Sequence, residues 1–159
     1  MNDYFSIKDK VIIVTGGGGT GMASVLSKKL SELQSHVYVI DIKFDKKSKS
    51  SNNFISYIKC DITKKQKFDK VCSTIFKKHK KIDVLINGAG VTFPESNKNF
   101  YPVDKWEKTF SVNLTAAFDC SQIAIKYMIK NNTGSIINFT SINAEMAFPN
   151  NPAYVASKG

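Results

Sequence analysis

The apolar residues of the chain fall into five short runs that are rich in β-branched side chains. The runs cover residues 10–15, 36–41, 54–61, 82–88 and 134–141. Near-continuous apolar runs of this length are typical of strands that are buried on both faces of a parallel sheet. The pattern therefore predicts five strands.

The segments between these runs carry apolar residues at helical spacing, which predicts helices after the first strand, from about Thr63 and from about Val103. A last helix begins at Ala153. The residues that share a predicted face are Met22, Leu26, Leu30 and Leu33, then Phe68, Val71, Cys72 and Ile75, then Leu114, Ala117, Phe118, Ser121, Ile125 and Met128. Strands that alternate with helices predict an α/β fold with helices on both faces of the sheet. No linker or repeat interrupts residues 1–159, so we expect a single domain.

Composition excludes several classes of protein. No apolar run approaches the roughly 20 residues of a membrane span, and the N-terminus has no signal-peptide core, so a cytoplasmic location is expected. Cys60, Cys72 and Cys120 are far apart and form no C-x-x-C pair. They are therefore interpreted as reduced thiols, with no disulfide framework and no metal site.

The net charge of +10 raises the question of nucleic-acid binding. All 23 basic residues are lysines, and arginine, the residue that reads base edges in bidentate fashion, is absent. Thirteen of the lysines lie between Lys43 and Lys81, where a solvated loop and a helix face explain them. We expect weak, salt-sensitive binding to polyanions and no specific nucleic-acid partner.

A glycine-rich stretch, VTGGGGTGMA at 14–23, joins the first strand to the first helix. Gly16, Gly18 and Gly21 satisfy G-x-G-x-x-G, and Asp41 ends the next strand. Glycines let the backbone approach a pyrophosphate at a helix N-terminus, and the carboxylate accepts hydrogen bonds from the ribose. A plain glycine-rich turn, or a different nucleotide-binding Rossmann enzyme such as a methyltransferase, remains an alternative on this motif alone.

Four further motifs follow in order: NGAG at 87–90, Asn113, Ser141 at the end of the fifth run, and YVASK at 154–158. Together with the glycine stretch they resemble the short-chain dehydrogenase/reductase family over the whole chain. The resemblance implies a Rossmann-type, doubly wound parallel sheet in three layers. It also implies an NAD-dependent oxidoreductase that interconverts a small-molecule alcohol and a carbonyl by hydride transfer.

The resemblance assigns catalytic roles to Asn113, Ser141, Tyr154 and Lys158. A carbonyl that takes up hydride needs a proton on oxygen, which the Tyr154 phenol supplies. The Lys158 ammonium, one helical turn away, favours the phenolate and holds the nicotinamide ribose. Ser141 donates a hydrogen bond to the substrate oxygen, and Asn113 positions a water that relays protons to Lys158. Tyr154 and Lys158 without the upstream serine would indicate only an exposed helix pair.

The same resemblance predicts the residues around the cofactor. They are Thr15, Gly16, Gly18, Gly21, Met22, Asp41, Asp61, Ile62, Asn87, Ala89, Gly90 and Lys158. Asp61 meets the adenine, with the N-cap of the following helix as an alternative role. Asp41 predicts NAD rather than NADP, because a carboxylate repels a ribose 2′-phosphate. The predicted substrate-facing residues are Phe93, Asn143 and Glu145, whereas His36 and His79 receive no role and Trp106 is assigned to packing.

Two departures from the family pattern qualify these expectations. The glycine loop is one residue longer, so Ala23 replaces the last glycine and the roles of Gly17 to Gly19 stay open. Gly88 replaces an asparagine.

The chain ends one residue after Lys158, before the family's closing strands. This predicts a C-terminally incomplete, catalytically poor chain with an exposed fifth strand and a fraying last helix. An inactive dinucleotide-binding remnant is the alternative function. A homo-oligomer is expected of a full-length form.

Overall fold

The computed structural model describes residues 6–46, 50, 52–95 and 100–159. All five predicted strands are present: β1 Val11–Thr15, β2 His36–Asp41, β3 Ile55–Lys59, β4 Val84–Asn87 and β5 Ser135–Asn138. The helices are α1 Met22–Glu32, α2 Lys65–His79, α3 Val103–Phe110, α4 Ala116–Met128 and α5 Pro152–Lys158. The last three strands are shorter than their apolar runs, because the residues at the ends of these runs do not pair with a neighbouring strand.

The five strands form one parallel sheet in the order β3-β2-β1-β4-β5. The predicted Rossmann-type architecture is confirmed. The order reverses between β1 and β4, so the connections that leave these two strands diverge and open a crevice at their carboxyl ends. Within the described sheet β5 is an edge strand, and Ile137 on it is 46% exposed.

Alternate residues of the strands build two separate cores, as the two-residue period of a strand requires. Val11 and Ile13 of β1 face α2 and α4, and Ile12 and Val14 face α1. Phe68, Cys72 and Ile75 on α2 are buried in the first core, as predicted from the helical spacing.

The predicted apolar face of α1 is wrong at both ends. Met22 and Leu33 are 73% and 60% exposed, whereas Leu26 and Leu30 are only partly buried. The buried side of α1 is instead formed by the small residues Ala23, Ser24, Ser27 and Ser31. Ser27 can be buried because its hydroxyl donates to the Ala23 carbonyl at 2.6 Å, so the helix satisfies its own side chain.

The face of α4 is also rotated from the prediction. Leu114 and Phe118 are 50% and 60% exposed, whereas Ala116, Cys120, Ile123 and Ala124 are buried with Met128. Both sides of α4 carry apolar residues at helical spacing, so periodicity alone does not determine which side packs on the sheet. A π-helical turn, Ser111–Thr115, joins α3 to this helix.

An aromatic cluster at the amino end of β2 involves both histidines. The Tyr38 hydroxyl lies 2.7 Å from His79 Nε2, and the rings of His36 and His79 are 4.7 Å apart at their centroids. Trp106 packs on Phe110 at a centroid distance of 4.7 Å, in agreement with its predicted packing role.

The histidine cluster makes stability depend on pH. Burial, together with His36, Lys78 and Lys81, lowers the pKa of His79 below its ordinary value. The unfolded chain therefore takes up this proton at a higher pH than the folded chain. The contribution of His79 to the free energy of unfolding is fully present above about pH 6.5 and is lost as the pH falls through the folded pKa. We expect the melting temperature to fall more steeply between pH 7.5 and 5 in the parent than in His79→Gln. Parallel profiles for the two proteins would contradict this.

Candidate active site

A cavity of about 190 Å³ opens at the carboxyl ends of β1, β2 and β4. It is lined by six predicted cofactor residues, namely Gly16, Asp41, Asp61, Ile62, Ala89 and Gly90. Its wall also contains Cys60, Thr63, Lys108 and Val112, which the sequence analysis did not identify.

Thr15 and Gly16 join the end of β1 to the loop after β4. Thr15 is 1% exposed, and its hydroxyl accepts hydrogen bonds from the backbone N–H groups of Gly88 and Ala89, both at 3.2 Å. Gly16 has a φ of +79°, and a Cβ there would lie 2.4 Å from the Ala89 Cα atom. Thr15 thus braces the cavity wall, and Gly16 must be glycine for this loop to approach.

Gly18 lies directly on the Asp41 carboxylate. Its N–H donates to Asp41 Oδ2 at 2.8 Å, while the N–H groups of Ile42 and Lys43 donate to Oδ1 at 2.7 and 3.3 Å. Asp45 N–H donates to the Gly18 carbonyl at 2.8 Å. Backbone donors on two sides therefore fix the plane of the carboxylate, which lines the cavity.

Asp61 sits in a turn before α2 rather than at its N-cap. Its Oδ1 accepts from the Thr63 N–H at 3.0 Å and from the Thr63 hydroxyl at 2.8 Å, whereas α2 begins at Lys65. Burial by itself would raise the pKa of Asp61. The hydrogen bonds from Thr63 and the ammonium groups of Lys108 and Lys64 outweigh burial, so the pKa lies below its ordinary value.

Gly21 and Met22 lie at the amino end of α1 and do not line the cavity. Gly21 is the N-cap, with no side-chain hydrogen bond to the first turn. The first backbone N–H groups of a helix lack intrahelical partners, so this end of α1 suits an anionic group.

Asn87 does not line the first cavity but lines a second cleft, which also contains Lys158. Its Nδ2 donates to Ser121 Oγ at 3.0 Å and to Asn138 Oδ1 at 2.9 Å. The side chain thereby joins β4 to α4 and β5. Its Oδ1 is buried and has no partner among the described residues.

Asn113 lies in the π-helical turn and ties two segments together. Its Oδ1 accepts from Val91 N–H at 2.8 Å, and its Nδ2 donates to the Val91 carbonyl and to Ser157 Oγ, both at 3.0 Å. Both amide hydrogens are used. A water at this position would therefore have to bind the second lone pair of Oδ1 or a backbone group.

Tyr154 and Lys158 lie on successive turns of α5, with the ammonium 6.0 Å from the centroid of the phenol ring. Lys158 donates to the Phe139 carbonyl at 2.6 Å, and burial lowers the pKa of its ammonium. Ser141 caps the 3-10 turn Ile142–Ala144, which contacts α5, and accepts a hydrogen bond from Asn143 N–H at 3.2 Å. The structure thus places the predicted catalytic residues on contacting elements.

A second cleft of about 320 Å³ contains Asn113, Phe139 and Lys158. Ala89 lines both this cleft and the first cavity. The loop that follows β4 therefore borders both spaces.

The helix α5 is anchored at both ends, which differs from the fraying end expected from its length. Asn151 Nδ2 donates to Thr92 Oγ1 at 2.6 Å at the amino end, and Asn113 holds Ser157 near the carboxyl end. Seven residues do not form a stable helix alone. Thr92, Asn151 and Ser157 could not be identified from the sequence, because no local motif shows that a polar side chain is paired with a distant loop.

None of the three predicted substrate residues lines either the first cavity or the second cleft. Phe93 is half-buried, and its carbonyl accepts from the Tyr101 hydroxyl at 2.8 Å. Asn143 is half-buried beside Ser141, whereas Glu145 is exposed.

Two further properties concern the described residues as a group. No three histidine, cysteine or carboxylate side chains among them come close enough to hold a metal ion. None of their helices is both long and apolar enough to cross a membrane.

Comparison with known proteins agrees with this geometry. Residues 10–159 match the family model described as short chain dehydrogenase. An NAD-dependent glycerol dehydrogenase of Listeria innocua is 36% identical over 157 residues, which cover 97% of this chain and 61% of the relative.

Two solved structures share the fold along nearly the whole chain. An NAD⁺-bound xylitol dehydrogenase is 25% identical with a TM-score of 0.85, covering 96% of this chain and 61% of its own. An NADPH-dependent 3-quinuclidinone reductase from Rhodotorula rubra is 28% identical with a TM-score of 0.86, covering 97% and 61%. The chain thus spans about three fifths of the length of these proteins.

Proposed function

The chain belongs to the short chain dehydrogenase family, and on this basis we propose that it binds NAD and oxidises a small polyhydroxylated alcohol to a carbonyl, reversibly. The observation that carries the proposal is a pair of cavities that share Ala89 as part of their walls. The first contains the Asp41 carboxylate, and the second contains the Lys158 ammonium, which lies beside the Tyr154 phenol. A carboxylate on one side of the Ala89 loop and an ammonium on the other suit the adenosine and nicotinamide halves of a dinucleotide.

The residues of the two cavities and of the nearby helix end suit a dinucleotide. We assign Asp41 to the adenosine ribose, Asp61 and Ile62 to the adenine, and the amino end of α1, which is not part of the cavity lining, to the pyrophosphate. The nicotinamide, when bound, supplies or accepts the hydride.

Proton transfer is assigned to α5 and its neighbours. Tyr154 removes the proton from the alcohol oxygen or returns it, and Ser141 donates a hydrogen bond to the same oxygen. Lys158 stabilises the phenolate and holds the nicotinamide ribose, while Asn113 keeps α5 against the loop after β4.

Polyols are proposed as substrates because relatives are named for them. The similar proteins include the glycerol and xylitol dehydrogenases, and a 2-dehydro-3-deoxy-D-gluconate 5-dehydrogenase of Bacillus subtilis is 30% identical over 163 residues. Asn143 and Glu145 provide polar groups near Ser141 that suit hydroxyl-rich substrates.

We expect NAD to bind the 159-residue chain at least about tenfold more tightly than NADP, because Asp41 repels a 2′-phosphate and accepts from both ribose hydroxyls. Isothermal titration with each cofactor measures the ratio. Asp41→Asn keeps the shape of the side chain and removes its charge, so it should reduce the ratio between the affinities for NAD and NADP. Tighter binding of NADP by the parent, or no binding of either cofactor, would contradict the proposal.

Turnover is followed as NADH absorbance with glycerol, xylitol and unrelated alcohols. Two proteins are compared, the 159-residue chain and a chimera. In the chimera, Gly159 is joined to the part of the Listeria relative that follows the matched region. If the chimera produces NADH and the 159-residue chain does not, residues 1–159 bind the dinucleotide without catalysing the reaction.

A further inference from the structure

Gly18 acts on the cofactor site through Asp41. Among the described residues, three backbone N–H groups donate to the carboxylate, and of these three the Gly18 N–H comes from the glycine loop and reaches Oδ2. Ile42 and Lys43 follow Asp41 directly in the chain, so their bonds to Oδ1 form within a local turn. The Gly18 bond is thus the long-range contact that fixes the orientation of Oδ2.

The contact requires glycine at this position. A Cβ on Gly18 would lie 2.0 Å from the Lys43 carbonyl oxygen and 2.7 Å from Asp41 Cγ. The Lys43 atom is backbone and cannot rotate away. At Gly19, the next residue, a Cβ would meet no atom of the described residues within 4 Å, so the loop demands glycine at one position and tolerates alanine at the following one.

The loop is also bonded in the opposite direction. Asp45 N–H donates to the Gly18 carbonyl at 2.8 Å, so the two polar groups of the Gly18 backbone bind the last residue of β2 and the segment that follows it. An acceptor held in place before the ligand arrives loses less conformational entropy on binding than a freely rotating carboxylate. It also discriminates more strongly between a ligand that carries the matching hydroxyl and one that does not.

We propose that Gly18 is a positioning residue for ribose recognition, which orients Asp41 towards the 2′-hydroxyl of the adenosine through its backbone N–H. The inference rests on the proposed binding of NAD. It differs from that proposal because it predicts the effect of a residue that has no side chain to contact the cofactor.

The test compares NADH with the reduced analogue that lacks the adenosine 2′-hydroxyl, using nucleotide fluorescence to measure affinity. In the parent we expect the analogue to bind about tenfold more weakly, the effect of a lost hydrogen bond to a charged group. In Gly18→Ala the ratio should fall to about twofold or less, while Gly19→Ala keeps the parent ratio. If Gly18 only supports the loop, both ligands weaken equally and the ratio stays unchanged, which would overturn the inference.

Further variants test whether Gly18 acts through the Asp41 carboxylate. Asp41→Ala, which removes the acceptor, should lose the same discrimination, and adding Gly18→Ala to it should change the ratio no further, because both act through one carboxylate. Additive effects would overturn the inference. If Gly18→Ala does not fold, as judged by circular dichroism, replacing the amide before Gly18 by an ester removes only the N–H, and the ratio must still fall. A parent that binds neither nucleotide overturns the proposed function and this inference together, whereas an unchanged ratio overturns the inference alone.

Discussion

Replacing Tyr154 by phenylalanine is expected to lower turnover by about a thousandfold or more, while NAD binds almost as well as to the parent. The phenol is the proposed proton donor and acceptor at the substrate oxygen, and phenylalanine keeps the ring that packs in α5. The neighbouring ammonium donates to the Phe139 carbonyl rather than to the phenol oxygen, so removing the hydroxyl leaves the Lys158 contact intact.

The measurement uses whichever of the two proteins, the 159-residue chain or the chimera, produces NADH from a polyol. Lys158→Met is the comparison, since it removes the ammonium that serves both phenol and ribose, and it should weaken NAD binding as well as turnover. Tyr154→Phe with most of the parent's turnover would exclude the phenol as the proton-transfer group. Equal loss of NAD affinity in both variants would show that the Tyr154→Phe substitution disturbs α5.

Gly16→Ala is expected to destabilise the fold by about 2–4 kcal/mol. The residue has a φ of +79°, and the added methyl group would lie 2.4 Å from the Cα and 2.6 Å from the N of Ala89. Both atoms are backbone, so relief requires β1 and the loop after β4 to separate. That movement breaks the bonds by which Thr15 holds Gly88 and Ala89.

Urea denaturation followed by circular dichroism measures the free energy of unfolding. Gly19→Ala is the matched control: it adds the same methyl group in the same loop, where no atom of the described part of the chain lies within 4 Å, and it should change stability by no more than about 0.5 kcal/mol. If both substitutions change the free energy of unfolding equally, the conformational entropy of the loop, rather than the close approach to Ala89, determines the loss of stability.

The strands and the order of the motifs were predictable because both are local properties. Runs such as residues 10–15 are apolar throughout, and a strand covered on both faces needs no other pattern. The positions of Asp41 at the end of β2 and of Tyr154 and Lys158 on one helix were predictable, because each follows from the pattern along a single element. The helix faces were less predictable: a serine can replace a leucine on a buried face when its hydroxyl bonds to its own helix, as Ser27 does.

The sequence alone determines that this chain forms a parallel α/β sheet with a glycine loop, an acidic residue at the end of β2 and a tyrosine–lysine pair one turn apart. Only the tertiary structure decides which glycines are required, because the need arises from Lys43 and Ala89, which are distant in the chain from Gly18 and Gly16. It also decides that Asn87 braces the sheet and that Asn113 and Asn151 hold α5. The physical reason is that these three amide side chains bond to residues far away in the chain, so the fold selects the partner by bringing a distant donor or acceptor within about 3 Å.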